Sequence, residues 1–483
     1  MERVMSRRAL VAVAAAIPLA GCMVGPDYVR PEVETPAAYK EMEGWKPAEP
    51  RDSIPRGRWW EIYGDPQLNA LAEQVDLSNQ TVKAAEAGVR QAQAVLAQAR
   101  AGLFPVVGAG ATVTRSQSPS LSNQPSFATG PVNNYNLVLN ASWELDLWGR
   151  VRRAVESGEA SWQASGADLE SVRLSAQATL VQTYFALRIT DAQRKLLEDT
   201  VDAYQQTLTL TRNRYAAGVA ARVDVVQAEV QVKSTQAQLV DLGVDRALLE
   251  HAIAVLIGKP PATFSLAPAP VVASLPVIPP GIPSELLERR PDIAAAERTV
   301  AAANAQIGVA QAAFYPTLTL SAAGGFRSTS FADWLTTPSR FWSLGAALAQ
   351  NIFDGGLRRG VSDQAIAVYD GQVAVYRQTV LNGFQEVENN LAALRILEEE
   401  KRLQDEAAQG ARTSVELTTN QYKAGIVSYL NVVAAQAIAL NNERNAVSVR
   451  GRQLAASVGL IRAVGGGWSA DELEQYRLSQ RSH

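Results

Sequence analysis

Tyr215 to Glu229 reads YAAGVAARVDVVQAE, and Tyr422 to Gln436 reads YKAGIVSYLNVVAAQ. Tyr, Ala, Gly, Val, Val and Ala coincide in the two stretches at a constant spacing of 422 − 215 = 207 residues. The same spacing pairs further residues on both sides, so the register holds for about 70 residues without a gap. Two copies of one structural unit therefore make up the chain, which indicates a fold in which like units lie side by side.

The beginning of the chain has the pattern of a bacterial export signal. Met1 to Arg8 carries three arginines, and Ala9 to Ala20 is an uncharged apolar run too short to span a bilayer. The run ends in Leu19-Ala20-Gly21-Cys22, which matches a lipoprotein signal in which Cys22 becomes the acylated first residue. An ordinary signal peptide with an incidental cysteine is the alternative. Because Met23 is not the Asp that commonly retains lipoproteins at the inner membrane, we expect delivery to the outer membrane.

Composition and charge exclude several functional classes. Removal of residues 1–21 takes away three arginines and one glutamate, so the net charge changes from −3 to −5, which does not favour nucleic-acid binding. The chain has two histidines, His251 and His483, and one cysteine, which cannot supply a metal cluster or a nucleophile with its base. We therefore predict a protein that is not an enzyme and that needs no cofactor or metal.

Two pairs of short segments alternate in polarity, as expected of membrane-spanning strands. From Tyr135 to Leu147 one face is apolar, and the other is mostly polar, with Asn140, Glu144 and Asp146 predicted to face a water-filled lumen. Four such strands cannot close a barrel, and open edges are not tolerated in lipid, so several chains would have to share one barrel. The alternative is a pair of soluble hairpins that lie on a helical body.

Long proline-free segments follow each strand pair and predict helical hairpins. The segment from Val151 to Tyr215 predicts a helix of about 100 Å, and a second run begins at Leu357. Each long helix ends at an Ala-Gly pair, in which Gly218 or Gly425 suits the left-handed cap that reverses the chain. An Ala-rich stretch from Gln67 to Ala101 predicts one further continuous helix.

These elements predict two repeats between short terminal segments. The predicted order is a signal peptide (1–21), a lipid-anchored arm (22–60), repeat 1 (61–258), a Pro-rich linker (259–283), repeat 2 (284–468) and a C-terminal tail (469–483). Repeat 1 holds a helix, strands at about 104–114 and 135–147, and a long helical hairpin at about 151–258. Repeat 2 holds a helix, strands at about 315–326 and 341–353, and a hairpin at about 357–464.

Several motifs together resemble those of one family and cover nearly the whole mature chain. They are the Leu19–Cys22 signal, Trp59-Trp60 with Tyr63-Gly64-Asp65-Pro66, Trp143-Glu144-Leu145-Asp146-Leu147-Trp148-Gly149-Arg150, Tyr215-Ala216-Ala217-Gly218, Pro283-Ser284-Glu285-Leu286-Leu287-Glu288-Arg289-Arg290-Pro291-Asp292-Ile293, Ile352-Phe353-Asp354-Gly355-Gly356 and Tyr422 to Gly425. The family is that of the outer membrane factors, the TolC-like channels, and within it the NodT-type efflux lipoproteins.

This resemblance implies an α+β membrane protein that works as a homotrimer. Three chains would form a twelve-stranded outer membrane β-barrel, with four strands from each chain, continued by a long periplasmic α-helical barrel. The resemblance also implies docking on a periplasmic adaptor protein and an inner membrane pump of the RND type, with grooves for adaptor helices at the hairpin tips near Gly218 and Gly425. Such a channel is a passive duct that exports drugs or other toxic small molecules.

Two other functions remain open at this point. A type I protein secretion system would use the same outer membrane duct with a different pump. A lipid-anchored periplasmic coiled-coil scaffold would carry the strands as surface hairpins. Heat-modifiable trimers and channel activity in planar bilayers would separate a channel from the scaffold.

One departure from the family's pattern concerns the periplasmic end of the channel. In the family, side chains just after the Tyr-x-x-Gly turns narrow the closed pore, and in the second copy they are often carboxylates. The matching positions here are Asn431 and Ala434, which are neutral, while the first copy keeps Asp224 and Glu229. We predict a gate in which Asp224 supplies an acidic ring and in which Tyr422 and the adjacent helix ends close the pore. The alternative is that Asp224 only starts the return helix near its positive dipole end.

Overall fold

The computed structural model describes residues 23–42, 58–117, 130–271, 275, 276, 278 and 289–466, so the predicted export signal and the predicted lipidation site, Cys22, lie outside the described residues. The described chain is mostly helical with one antiparallel sheet, in agreement with the predicted α+β class. In chain order its main elements are α1 (Pro66–Ser78), α2 (Gln80–Ala101), β1 (Val106–Ser116), β2 (Val132–Leu145), α3 (Arg150–Ala216), α4 (Arg222–Leu256), α5 (Pro291–Ala312), β3 (Thr317–Ser328), β4 (Arg340–Ala349), α6 (Leu357–Lys423) and α7 (Tyr429–Ala463).

The two copies share their long helices residue for residue. Helices α3 and α6 are each 67 residues long, and the repeat spacing pairs their first positions. Helices α4 and α7 are each 35 residues long, and their first positions are paired in the same way. The short helices α2 and α5 are both 22 residues long, but α5 begins at Pro291, whereas the counterpart of Gln80 is Leu287. The first copy therefore has extra residues between its short and long helices, in the segment that holds the strands.

The predicted continuous helix from Gln67 to Ala101 is wrong, because the chain breaks between α1 and α2 at Asn79. This residue has an extended ψ of 124°. Its Oδ1 accepts hydrogen bonds from the backbone N–H groups of Thr81 and Val82 at 2.9 and 3.1 Å. An asparagine that caps one helix in this way ends the helix before it, and no neighbouring proline or glycine signals the break.

Asn79 also joins α2 to the end of the first hairpin, and the second copy repeats this contact. Asn79 Nδ2 donates to the Leu256 carbonyl, at the end of α4, at 2.8 Å. Arg290 Nη1 donates to the Ala463 carbonyl, at the end of α7, at 3.1 Å. Both donors satisfy a C-terminal carbonyl that has no partner inside its own helix. The repetition therefore extends from the sequence to the tertiary contacts.

The described residues belong to two compact units. Unit 1 lies within Met1–Glu32, Val89–Ser165 and Ala296–Tyr376 and contains the sheet, and unit 2 lies within Val33–Gly88, Gly166–Ala295 and Arg377–His483. In unit 2 the side chains of Trp59 and Trp60 are buried, with ring centroids 5.9 Å apart. This agrees with the packing contact that paired tryptophans indicate.

The four strands form one sheet in the order β1-β2-β3-β4, and all neighbours are antiparallel. β1 and β3 begin two residues after the predicted starts, because Pro105 and Pro316 stand at the turns that leave the preceding helices. β2 and β4 end before the predicted ends. Beyond each of these strands an aspartate, Asp146 or Asp354, accepts a backbone N–H group at the beginning of the next helix. None of the described helices combines the length and apolar character needed to cross a membrane.

Candidate functional site

The register of the sheet places the apolar residues of the strands on one face. On β2, Leu139 pairs with Ala109 of β1 and with Gly324 of β3. Trp143 of β2 pairs with Leu320 of β3. The alternate positions form the second face and carry mostly small and polar side chains, among them Thr112, Asn136, Asn140, Ser142, Thr319, Ser321 and Arg327. One face of the sheet is therefore suited to lipid and the other to water.

Aromatic side chains mark both ends of the sheet in unit 1. Where β1 and β3 begin, Trp148 stacks on Tyr315 with ring centroids 4.8 Å apart. At the opposite end, Tyr135 lies 5.6 Å from both Phe331 and Trp334. The strands between these levels are 10 to 14 residues long. Strands of this length between two levels of aromatic rings are typical of an outer membrane sheet with a girdle at each interface.

The three predicted lumen residues have different positions. Asn140 lies on the polar face of β2, opposite Gly108 and Ala323. Glu144 is also on β2, and its carboxylate accepts two hydrogen bonds from Arg150, at 2.9 and 2.8 Å. Asp146 lies beyond the end of β2 and accepts the backbone N–H groups of the first turn of α3, at 2.9 and 2.8 Å. That these residues face the lumen stays a prediction. The carboxylates of Glu144 and Asp146 also fix the junction between β2 and α3.

The two hairpin tips in unit 2 have the same backbone geometry. Gly218 and Gly425 both have a φ of +77°, in the left-handed region that the sequence predicts for them. After the first tip the Val219 N–H donates to the Arg214 carbonyl at 2.8 Å, and after the second the Ile426 N–H donates to the Gln421 carbonyl at 2.9 Å. Each long helix therefore ends in the same glycine cap.

Each tip also exposes a pair of aliphatic side chains, which the sequence interpretation missed. In the first copy they are Val219 and Val223, which are 65% and 57% exposed. In the second copy they are Ile426 and Leu430, which are 72% and 59% exposed. The repeat spacing relates the two pairs to each other, and this spacing is the signal that could have revealed them.

Tyr422 is a buried residue rather than an exposed one. Its side chain is 3% exposed and belongs to a cluster with Tyr429 and with Tyr204 and Leu208 of the first copy. The ring centroids of Tyr422 and Tyr429 lie 5.4 Å apart. Burial raises the pKa of Tyr429 to about 12, so this phenol is neutral at physiological pH. The ring of Tyr422 therefore packs between helices of its own chain.

Arg214 ties the two tips together, and the sequence interpretation did not single it out. Its Nη1 donates to the Lys423 carbonyl, the last residue of α6, at 2.8 Å. The carbon of its guanidinium lies 4.8 Å from the centroid of the Tyr422 ring, which is a cation–π distance. The counterpart of Arg214 in the second copy is Gln421, so a sequence comparison of the copies already marks this position as different.

The predicted gate residues lie on the first turns of the return helices. Asp224 is half-buried near the start of α4, and its Oδ2 accepts the backbone N–H of Ala221 at 3.4 Å. This contact fits the alternative in which Asp224 starts the helix. Asn431 and Ala434 lie on α7, and both are exposed. The gate stays a prediction.

The described residues hold no group of three or more His, Cys, Asp or Glu side chains placed to bind a metal ion.

The sequence and the fold match known proteins over nearly the whole chain. The profile of the family described as outer membrane efflux protein matches residues 71–259 and 282–466, one stretch in each copy. The chain is 31% identical to the pyoverdine export outer membrane protein OpmQ of Pseudomonas aeruginosa, over 97% of this chain and 98% of that protein. It is 30% identical to the toluene efflux pump outer membrane protein TtgC of Pseudomonas putida, over 93% of each. The solved structure of the outer-membrane channel OprN has a TM-score of 0.86 and 32% identity, over 92% of this chain and 100% of that one.

Proposed function

Because this chain belongs to the outer membrane efflux protein family and is an outer membrane efflux channel that extends into the periplasm, we propose that three copies form the exit duct of a tripartite pump. The protein is a channel and not an enzyme. Its partners in this proposal are a periplasmic adaptor protein and an inner membrane pump of the RND type. The observation that carries the proposal is the sheet, which has an apolar face, a polar face and two edges that are unpaired among the described residues.

The unpaired edges require further copies of the chain. Among the described residues, β1 pairs only with β2, and β4 pairs only with β3. On the apolar face of β4 the side chains of Trp342, Leu344 and Leu348 are 70% to 78% exposed. In lipid each unpaired backbone group of an edge strand is unfavourable by roughly several kcal/mol, so β1 of one copy should pair with β4 of the next. Three copies then close twelve strands, and the polar faces line the lumen.

The hairpin tips are the proposed docking surface for the adaptor. Each tip presents two aliphatic side chains shortly after the glycine cap: Val219 with Val223, and Ile426 with Leu430. Two such pairs in every chain give six nearly equivalent apolar contacts in a trimer. Adaptor proteins with helical hairpins of their own would bury these side chains between helices, in the manner of an amphipathic helix in a groove.

The proposed gate combines a neutral and an acidic part. Asp224 supplies a threefold carboxylate ring, and Asn431 gives the second copy a neutral ring. Tyr422 acts through its buried cluster with Tyr429, Tyr204 and Leu208 and through its contact with Arg214, which together keep the second tip packed against the first. Opening of the pore then requires this packing to loosen, so the gate resides as much in the Tyr422 cluster as in the ring of Asp224.

The proposed cargo is a drug or another toxic small molecule that the inner membrane pump selects. The names of relatives at 30% to 31% identity refer to pyoverdine and to toluene, which differ widely in size and polarity. A wide, water-filled duct discriminates weakly among small solutes, and such variety among relatives agrees with selection by the pump.

A reconstitution experiment tests the proposed function. The full chain, purified from outer membranes, should run as a heat-modifiable trimer and should conduct ions in planar bilayers. Its gene should restore drug export to a strain that lacks its own outer membrane channel, provided that a matching adaptor and pump are present. A monomer without conductance would contradict the channel and favour the periplasmic scaffold. Restoration of protein secretion instead of drug export would favour the type I system.

A further inference from the structure

The segment directly after Cys22 is held in unit 1 by a buried arginine. Arg153, in the first turn of α3, has a side chain that is only 2% exposed. Its guanidinium donates to the carbonyls of Val24 and Gly25 at 3.2 and 3.1 Å and to the carboxylate of Asp27 at 2.8 Å. Glu156 is its remaining partner, at 2.8 Å. A buried guanidinium without partners is strongly unfavourable, so these three arm residues complete the fold at this position.

The arm also fits closely against α5. Gly25 has a φ of +97°, and a Cβ atom built on it would lie 2.5 Å from the Cα of Gly308. The side chain of Asn304 donates to the Pro26 carbonyl at 2.9 Å. Next along the arm, the Tyr28 hydroxyl donates to the carboxylate of Glu297. Two glycines in backbone contact and a row of hydrogen bonds are the features of a built seat for an extended chain.

The first residues of the arm, Met23 and Val24, reach the aromatic residues around Trp148, at the end of the sheet where β1 and β3 begin. The N–H of Val24 donates to the Trp148 carbonyl at 3.0 Å. A Cβ atom on Gly149 would lie 2.6 Å from the Met23 side chain. Trp148 stacks on Tyr315, and its Nε1 donates to the Pro316 carbonyl at 2.7 Å. Phe104, Tyr315 and Phe353, which stand at the same sheet end, are 68%, 41% and 90% exposed, as expected of a membrane interface.

From this geometry we infer that Met23–Arg30 is a strap that fixes the lipid anchor at the level of the aromatic rings around Trp148. Arg153 is the positioning residue of the strap. Residue 22 is joined to Met23 by a single peptide bond, so acyl chains on Cys22 leave the protein where the strands enter the bilayer. The anchor then enters the bilayer beside the sheet, whereas a free arm would leave the position of the anchor independent of the sheet. The inference rests on the proposed lipidation of Cys22.

Hydrogen exchange measures the strap directly. In the full-length trimer, peptides that cover residues 23–30 should be protected, and Arg153→Gln should speed their exchange about tenfold or more, because charge-assisted hydrogen bonds to three arm residues are lost. Gly25→Val should do the same while Arg153 is retained, since its side chain collides with Gly308. Arg152→Gln is the matched control, because Arg152 contacts Asp146 and not the arm. Unchanged exchange in both strap variants would overturn the inference.

A double-mutant comparison then connects the strap to the anchor. The yield of heat-modifiable trimer in the outer membrane should fall when Arg153→Gln or Gly25→Val is placed in the acylated chain. The same substitutions should have no further effect in a Cys22→Ala chain exported by an ordinary signal peptide, because no anchor remains to be positioned. Additive losses would overturn the strap and indicate that the two positions only stabilise the fold.

The N-terminal mass separates failure of the strap from failure of the proposed lipidation. Mass spectrometry of the mature N-terminal peptide should give acylated Cys22. An unacylated residue 22 would overturn the lipidation and, with it, the placing of the anchor. An acylated chain with fast exchange over residues 23–30, in the wild-type protein, would overturn the strap alone.

Discussion

Tyr215 and Tyr422 occupy the same place in the two copies, yet one is exposed and the other is buried. The repeat spacing relates the two rings, which lie just before glycine caps with the same φ of +77°. Tyr215 is 47% exposed, whereas Tyr422 is 3% exposed. The local backbone cannot explain this difference, because it is the same at both tips. The cause is the neighbouring residues that each ring meets.

The buried ring owes its environment to the other copy. Tyr422 packs with Tyr429 of its own hairpin and with Tyr204, Leu208, Ala228 and Val232 of the first hairpin. The counterpart of Tyr429 in the first copy is Arg222, which offers Tyr215 no aromatic partner. The second tip is therefore the packed one, and the first tip is the support on which it packs. Duplication supplied two equal hairpins, and a few substitutions gave them unequal roles.

The largest effect should come from removing the buried ring. Tyr422→Ala should weaken the local stability of the second tip by about 3–5 kcal/mol, as expected when a large buried aromatic residue is truncated. Tyr215→Ala, the matched control at an exposed position, should change it by about 0.5 kcal/mol or less. Hydrogen exchange of peptides around residues 415–435, together with the open probability in bilayers, measures both. Equal effects of the two substitutions would contradict the conclusion that Tyr422 stabilises its tip by burial and that Tyr215 does not.

Tyr422→Phe refines the same test. The Tyr422 hydroxyl is buried and has no hydrogen-bond partner among the described residues. Its removal should therefore be tolerated, with exchange rates and conductance close to those of the wild-type channel. A large loss in Tyr422→Phe would mean that the hydroxyl, and not the packing of the ring, holds the tip.

A smaller effect should come from the arginine that links the tips. Arg214→Ala removes the hydrogen bond to the Lys423 carbonyl and the cation–π contact with Tyr422. We expect a loss of about 1–3 kcal/mol and a more frequently open channel. Gln421→Ala, at the equivalent position of the second copy, is the control. In a double-mutant cycle with Tyr422→Leu, strict additivity would contradict a direct contact between Arg214 and the Tyr422 ring.

The glycine caps should behave alike in the two copies. Gly218→Ala and Gly425→Ala each place a Cβ atom in the left-handed region, and we expect each to cost about 1–2 kcal/mol in local stability. No described atom lies within 4 Å of the Cβ position at either site, so sterics with neighbours add nothing. The measurement is hydrogen exchange at the two turns. Clearly unequal losses would place part of the asymmetry in the turns themselves.

A smaller effect on stability than at the glycine caps should come from the charged position. Asp224→Ala removes the contact with the Ala221 N–H at 3.4 Å and a favourable interaction with the helix dipole, together about 0.5–1 kcal/mol. If Asp224 also forms the acidic ring, the substitution should lower the cation preference of the channel, whereas Asn431→Ala should not. Single-channel recording distinguishes the two roles. Unchanged conductance and selectivity would contradict the acidic ring and would mean that Asp224 only stabilises the start of α4.

The same divergence occurs at two Ala-Leu-Arg triplets of unit 2, Ala186–Arg188 and Ala393–Arg395, which the repeat spacing pairs. Arg188 is buried and donates to the Ala267 carbonyl of the segment after the first hairpin, at 2.9 Å. Arg395, its counterpart, has a side chain that is 49% exposed and pairs with Glu41 of the N-terminal arm at 2.6 Å. Two identical triplets therefore hold two different connecting segments. The sequence identifies the triplets as equivalent, but it does not show which residues their arginines bind.

Much of the fold could be predicted because it depends on local patterns. The strand faces follow from period-two alternation, and in the observed register the apolar face of β2 pairs with the apolar residues of β3, namely Leu318, Leu320, Ala322 and Phe326. The caps at Gly218 and Gly425 follow from the need for a positive φ. The break at Asn79 was not predicted in this way, because the Asn79 side chain that caps α2 has no neighbouring proline or glycine to signal the end of α1.

The candidate site was less predictable than the fold. The sequence marked Tyr422 as a gate residue from its motif, but it could not give the burial of the ring. Arg214 and Arg153 have no local signature, since each is one of many arginines on a long helix. Their roles arise because the fold brings the Lys423 carbonyl to one and the Val24 and Gly25 carbonyls to the other.

The sequence by itself determined the duplication, most of the strands and helices, and the class of protein. These depend on periodicity, glycine positions and motifs, which are properties of neighbouring residues. Only the tertiary structure decided which copy of each repeated residue is buried, which carbonyls the arginines bind, and where the segment after Cys22 is held. Those features depend on contacts between distant parts of the chain, and identical local sequences can meet different partners.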